Sequence, residues 1–342
     1  MRSQAVNTAV HGWANQTADD EEDENCTVGY YAQVLGVEPV VGWLVCIRGA
    51  YRGESFRLKS GRNFIGRAAN MDIVLGAVSN EMAKRFAPAI QDSGAVFIDN
   101  SSAFRLREDV PLVVPEINPE DAFQHHGIVA NPNCSTIITM VALGGIRRLT
   151  AIDKMVACTY QAVSGAGQQG ITELQDQLRA VTLGEPVQPH VFPCQIVSNV
   201  IPQIGSECDN GYTTEEMKMQ NEGRKIMHLP ELRVCCTCVR VPVMRSHSIA
   251  VQLVTRDPIS VEDARQAVAA APGCVLVDDL DGRNYPTPLD TSDQDLVYVG
   301  RIRRDLISGD HGLALWCCGD QVRKGAATNA VQIAELLARG QA

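Results

Sequence analysis

The apolar positions of this chain follow two rhythms that change over near Gly76. Before it, short apolar runs at Gly42 to Ile47, Glu54 to Leu58, Asn63 to Ile65 and Asp72 to Leu75 are broken by Gly49, Gly53 and Gly61. Runs of that kind predict antiparallel strands joined by turns. After it, a helix-like stretch over 79–92 is followed by strand-like Ala95 to Asp99 and Leu112 to Val114, helix-like Pro119 to His125 and strand-like Gly127 to Ala130. This alternation predicts βαβ units and a parallel sheet.

The second half has longer elements. A helical run, Ile137 to Leu149, leads to a long strand pattern from Asp153 to Val163, a helix from Gly170 to Thr182 and a Pro- and Gly-rich loop over 184–211. Thr213-Thr214-Glu215-Glu216 opens a helix to Met227, with a hydroxyl cap followed by acids. Strands are expected at 232–241, 247–255, 296–303 and 312–318, with helices at 260–270 and from Lys324 to Arg339. Long consecutive strands with segregated helices predict an α+β region. The expected fold class is therefore α/β plus α+β.

Composition narrows the function classes. A net charge of −10 over 342 residues argues against a general nucleic-acid surface. No apolar run approaches the roughly 20 residues that cross a bilayer, so no membrane association is expected. The first 25 residues lack the apolar core of a secretory signal. A long chain with 12 cysteines and no export signal reads as cytoplasmic, with reduced thiols. Cys235, Cys236, Cys238, Cys317 and Cys318 lie in strand-like runs and read as small core residues, with no metal site expected. The acids Asp19 to Glu24 mark residues 1–35 as a self-repelling, disordered tail.

The candidate chemistry centres on Asn133-Cys134-Ser135-Thr136, between a strand-like and a helical run. A thiol at a helix N-terminus sits where the dipole and free N–H groups favour the thiolate. Such a nucleophile needs a proton partner, and His247 at the start of a strand is one candidate, although a structural histidine fits as well. Arg240, seven residues earlier, suits a bidentate grip on a carboxylate. The loop Asn100 to Arg105 follows a buried strand, where α/β sheets bind ligands. Glu215 and Lys218 share a helix face, either as part of an anion site or as a surface ion pair. Gly165, Gly167 and Gly170 fit G-x-G-x-x-G, which reads either as a dinucleotide fingerprint or as a tight turn near a ligand.

Taken together and in order, several stretches resemble aspartate-semialdehyde dehydrogenases. They are Ala95 to Arg105, Val113 to Glu116, Ala130 to Thr136, Thr159 to Gly167, Asn199 to Pro202, Glu215 to Lys218, Arg240 to Val243 and Lys324 to Ala327. The resemblance covers about residues 77–340. It implies Cys134 as nucleophile, His247 as general acid/base and Gln161 as the residue orienting the reacting group. It implies Arg240 on the substrate carboxylate, Glu215 on its amino group, Arg105 and Lys218 on the phosphate, and Asn133 beside the thiol. Ser164, Gly165 and Gly167 would border the nicotinamide, with Gln321 and Asn329 near it. The implied reaction reduces aspartyl phosphate with NADPH to aspartate semialdehyde, releasing phosphate and NADP, in lysine, threonine and methionine biosynthesis. The implied assembly is a homodimer or homotetramer.

One departure stands out. The family opens with a strand, G-x-x-G-x-x-G and a helix, and no such segment precedes residue 77. Residues 36–75 instead resemble the first strands of a forkhead-associated domain, a phosphothreonine reader, with Gly66-Arg67 fitting and the later Ser-x-x-His missing. The expected domains are thus a tail at 1–35, a partial forkhead-associated-like segment at 36–76, the second half of a nucleotide-binding domain at 77–133, a catalytic and dimerisation domain at 134–319 and a returning helix at 320–342. With half the nucleotide-binding domain replaced, the cofactor site is expected to be weakened. The alternative function is a non-catalytic interaction protein, reading phosphothreonine or pairing through a dimer surface.

Overall fold

A computed structural model describes residues 71–340 together with the strands at 40–45, 55–59 and 64–68. Strands β1 (Val40–Val45) and β2 (Ser55–Lys59) pair antiparallel with each other. The other described strands form two sheets. In the first, β3 (Phe64–Ala68) runs antiparallel to β4 (Met71–Gly76), and β4 runs parallel to β5 (Val96–Asp99) and β5 to β6 (Ile128–Ala130). The sequence groups β4 with the antiparallel runs before it; hydrogen bonding makes it also the first parallel strand.

Helix α1 (Asn80–Asp92) crosses from β4 to β5. Ser79 caps it by accepting from the Met82 N–H, and Ala83, Ala87 and Ile90 give it one buried stripe. The expected strand at Leu112 to Val114 is a single bridge, Leu112 to Ala130. Pro111 and Pro115 flank it, and neither has an N–H to extend a ladder. Pro119–Gln124 is a short 3-10 turn.

Helix α2 (Cys134–Leu149) starts three residues before its apolar run, because the Asn133 side chain accepts from the N–H groups of Ser135 and Thr136. Its residues from Ser135 to Ile146 are all buried. It packs on one face of the second sheet, built from β7 (Ile152–Gln161), β8 (Arg233–Arg240), β9 (His247–Thr255), β10 (Cys274–Leu276), β11 (Val297–Arg304) and β12 (Gly312–Gly319). The order is β10-β11-β12-β9-β7-β8, with β7–β8 and β10–β11 parallel and the other pairs antiparallel. Helices α3 (Gly167–Leu183), α4 (Thr214–Ile226) and α5 (Val261–Ala269) follow β7, precede β8 and follow β9. A capping box of Thr213 and Glu216 starts α4, as the sequence predicts. A π-helical turn (Arg323–Ala327) leads into α6 (Thr328–Gly340). Ala330, Ile333, Ala334 and Leu337 of α6 pack with Ile98, Val113 and Val129, covering the parallel strands.

The opposite face of the six-stranded sheet is open. Val156 and Tyr160 are exposed there, beside half-buried Cys158, Val239, Ala250 and Trp316, with the Tyr160 and Trp316 rings 5.5 Å apart. Cys236, Cys238, Cys317 and Cys318 are core residues as expected, but Cys235 is exposed, because strand alternation turns it away from its buried neighbour Cys236.

Candidate active site

Cys134 opens α2 at the carboxyl edge of the parallel sheet, directly after β6. Gly325 of the π-helical turn presses against it, since a Cβ there would lie 3.0 Å from the Cys134 Cβ. The thiol is not the ready thiolate that helix placement alone predicts. Burial and the Glu215 charge push it up to about 11, against the pull of Arg105 and Arg240. The hydroxyls of Ser135 and Thr136 beside it are buried without a partner.

His247 begins β9 and is fully buried. The Ala162 N–H donates to its Nδ1 at 3.1 Å, so in the neutral ring Nε2 carries the proton. Among the described residues that Nε2 has no partner. Burial and the Arg240 charge push the imidazole down to about 3, so the resting ring is neutral. Arg240 ends β8, donates to the Ala162 carbonyl at 2.7 Å and acts electrostatically on both Cys134 and His247. Gly165 leaves room for both side chains: a Cβ there would lie 2.6 Å from an Arg240 nitrogen and 3.3 Å from His247 Nε2. Just before His247, Ser246 adopts φ 73°, held by its N–H on Gln321 and its hydroxyl on Thr291.

Glu215 is the hub of the other side. Its Oε1 accepts from Asn133 at 2.9 Å and Gln161 at 3.3 Å, and its Oε2 from Lys218 at 2.8 Å. Burial works to raise its carboxyl, but Lys218 and the two amides outweigh it and hold the group below the ordinary range. Glu215 and Lys218 are thus a built site and not a surface pair. Arg105 donates from Nε to the Asn131 carbonyl and from a terminal nitrogen to the Asn100 carbonyl. Its other terminal nitrogen pairs with Glu222 at 3.1 Å. Sequence reasoning missed Glu222. Its spacing of seven from Glu215 puts it on the same face of α4, the one signal available.

Gln321 and Asn329, which the resemblance puts near the nicotinamide, are both held by protein partners. Gln321 is buried and braced at both ends, by the Ser246 N–H and the Ser164 hydroxyl. Asn329 is fully buried and bonded to the Val113 carbonyl, Asn131 and Lys324, so none of its edges is open to a cofactor. Both are struts. Gly167 has φ +76° and nothing within 4 Å of where a Cβ would sit, so the turn before α3 opens onto free space. Among the described residues no cluster of His, Cys, Asp or Glu could hold a metal, and no helix is long and apolar enough to cross a membrane.

A helix-mounted sulfur in the field of two guanidinium groups, with a neutral imidazole in the same Arg240 field, at the edge of a parallel sheet, is equipment for nucleophilic acyl chemistry, which cysteine-dependent dehydrogenases use. Two family models match in that sense: the semialdehyde dehydrogenase NAD binding domain over residues 52–125 and the semialdehyde dehydrogenase dimerisation domain over residues 143–324. An aspartate-semialdehyde dehydrogenase of Synechocystis sp. is 50% identical over 266 residues, 78% of this chain and 78% of the relative. That of Bacillus subtilis is 46% identical over 275 residues, 78% of this chain and 79% of its own. The crystal structure of aspartate semialdehyde dehydrogenase II from Vibrio cholerae, complexed with ASA, superposes with a TM-score of 0.78 at 42% identity, over 85% of this chain and 86% of that one. A Candida albicans enzyme solved with NADP shares the fold at 23% identity and a TM-score of 0.60, over 78% of this chain and 76% of that one. The chain belongs to the aspartate-semialdehyde dehydrogenase family. The NAD binding domain is present, and its match runs from residue 52 to 125. The forkhead-associated resemblance, which that match overlaps from residue 52 to 75, is not supported.

Proposed function

We propose that this oxidoreductase interconverts aspartyl phosphate and aspartate semialdehyde with NADP and phosphate, with Cys134 as nucleophile and His247 as acid/base. The observation that carries the reading is the unpartnered, buried His247 Nε2 sharing the Arg240 field with the Cys134 thiol. In the biosynthetic direction the Cys134 sulfur attacks the acyl carbon, its proton leaves with the departing phosphate, and a thioester forms on Cys134. After reduction, the thiohemiacetal collapses and its sulfur takes back a proton. To give that proton the ring has to be imidazolium, and an anionic intermediate bound at the unpartnered Nε2 would raise the ring from about 3 toward that form. Arg240 holds the substrate carboxylate and Glu215 its ammonium group. Glu215 also raises the thiol, so an ammonium bound there offsets its field and eases ionisation only when substrate is present. Arg105 keeps two of its five N–H groups for the phosphate, with Lys218 beside Glu215 adding charge.

The residues fit a nicotinamide: Ser164, Gly165 and Gly167 border it, where Gly167 faces open space and a side chain at Gly165 would strike Arg240. Bound there, NADP supplies or accepts the hydride. The free thiols of the ten cysteines among the described residues fit a reducing, cytoplasmic setting. The open sheet face at Val156, Tyr160 and Trp316, within the dimerisation domain match, supports a homodimer, and a homotetramer would pair two of them.

The test is NADP reduction by aspartate semialdehyde at varied phosphate. Turnover that requires phosphate and vanishes in Cys134→Ser supports the reading. Turnover independent of phosphate, or retained by that variant, sinks it.

A further inference from the structure

Glu222 touches no reacting group in this scheme, yet it is among the most buried charges in the fold, with 1% of its surface exposed. One carboxylate oxygen accepts from Arg105 at 3.1 Å. The other accepts from the backbone N–H of Asn133 at 2.7 Å. These partners come from different loops, one after β5 and one after β6. Asn133 is the cap of the helix that carries Cys134. We propose that Glu222 is a positioning residue that sets the phosphate-binding Arg105 and the Cys134 helix at a fixed separation. The inference rests on the function proposed above, and adds the residue that ties the anion clamp to the nucleophile.

The geometry leaves little slack. Two carbonyls fix two of the Arg105 nitrogens, and Glu222 fixes the third. Asn133 is gripped twice by α4, through its backbone N–H by Glu222 and through its side chain by Glu215. Both groups facing Glu222 are donors, so only a side chain with two accepting oxygens satisfies them. Glutamine has the same shape but turns an NH2 toward one donor in either orientation, and it removes the counter-charge. Aspartate keeps both acceptors but is one methylene too short to span the partners.

The experiment follows alkylation of Cys134 by iodoacetamide, read on its own peptide by mass spectrometry, at rising inorganic phosphate. It is run on wild type, Glu222→Gln and Glu222→Asp, with kinetic constants for phosphate and aspartate semialdehyde in parallel. Losing a charge-assisted hydrogen bond should raise the half-protecting phosphate concentration about tenfold in either variant. KM for the semialdehyde should stay close to wild type. In an Arg105→Lys background, Glu222→Gln should add little, because both act through one group. Unchanged phosphate protection in a folded variant overturns the proposal. So does a parallel rise of both KM values with a lower melting temperature, or failure of both variants to fold, since either marks a purely structural role. Wild type that phosphate never protects sinks the phosphate reading itself, which is a different result.

Discussion

The Cys134 thiol lies between Arg105 and Arg240, which favour its ionisation, and Glu215, which opposes it, and burial tips the balance to the protonated form. Alkylation of Cys134 in the ligand-free protein should therefore keep accelerating as pH rises toward about 11, with no plateau near neutrality. A neutral plateau in the rate would contradict this balance. His247 gives the acid limb. Its folded value of about 3 lies below the ordinary 6.5, so the stability it contributes is present above 6.5 and lost as pH falls from there toward 3. Melting temperature against pH should fall less steeply over that window in His247→Gln than in wild type. Gly165→Ala should lower kcat while the protein stays folded, since the new Cβ meets the Arg240 guanidinium at 2.6 Å; unaltered kcat would show that Arg240 has room to move. Cys134, His247, Arg240 and Glu215 were legible as chemistry because their residue types and neighbours are local. Their ionisation was not, because it is set by burial and by charges brought from other elements. The helix N-terminus alone would have given the opposite sign for the thiol.

Helix α4 organises the site as a single element. Glu215, Lys218, Glu222 and Lys225 recur along one face, and Lys225 donates to the carbonyls of Arg105, Val110 and Arg107. Its start was readable from the capping box, but which of its acids point inward was not, since the stripe is polar and no apolar period marks it. Removing the box by Thr213→Ala should cost about 1 kcal/mol of stability and disturb Glu215 first. Denaturant titration checks the stability, and the KM for the semialdehyde checks the placement. Element boundaries shifted where caps and prolines overrode the apolar pattern, as at Asn133 for α2 and at Pro111 and Pro115 for the expected strand.

At the scale of the molecule, the open sheet face exposes apolar side chains among the described residues. Substituting Tyr160 by Asp on that face should shift the protein toward monomer in sedimentation or light scattering, whereas the same change at exposed Leu306, outside the sheet, should not. An unchanged mass for Tyr160→Asp would move the contact elsewhere. Strand order could not be read from the sequence, because β9 lies between β7 and β12 across long separations that no local pattern records. The alternating rhythm after Gly76 did carry β5, β6 and the helix before them, but not β4.

Helix α6 closes this chain from its far end. Buried Lys324 just ahead of it bonds Glu116, Asn329 and Gln332, and Asn329 reaches Asn131 beside the catalytic loop. Until Lys324 and α6 dock, then, Glu116 lacks its cation and the apolar floor under β5 and β6 stays bare. The loop that carries the thiol therefore sets only once this helix is in place.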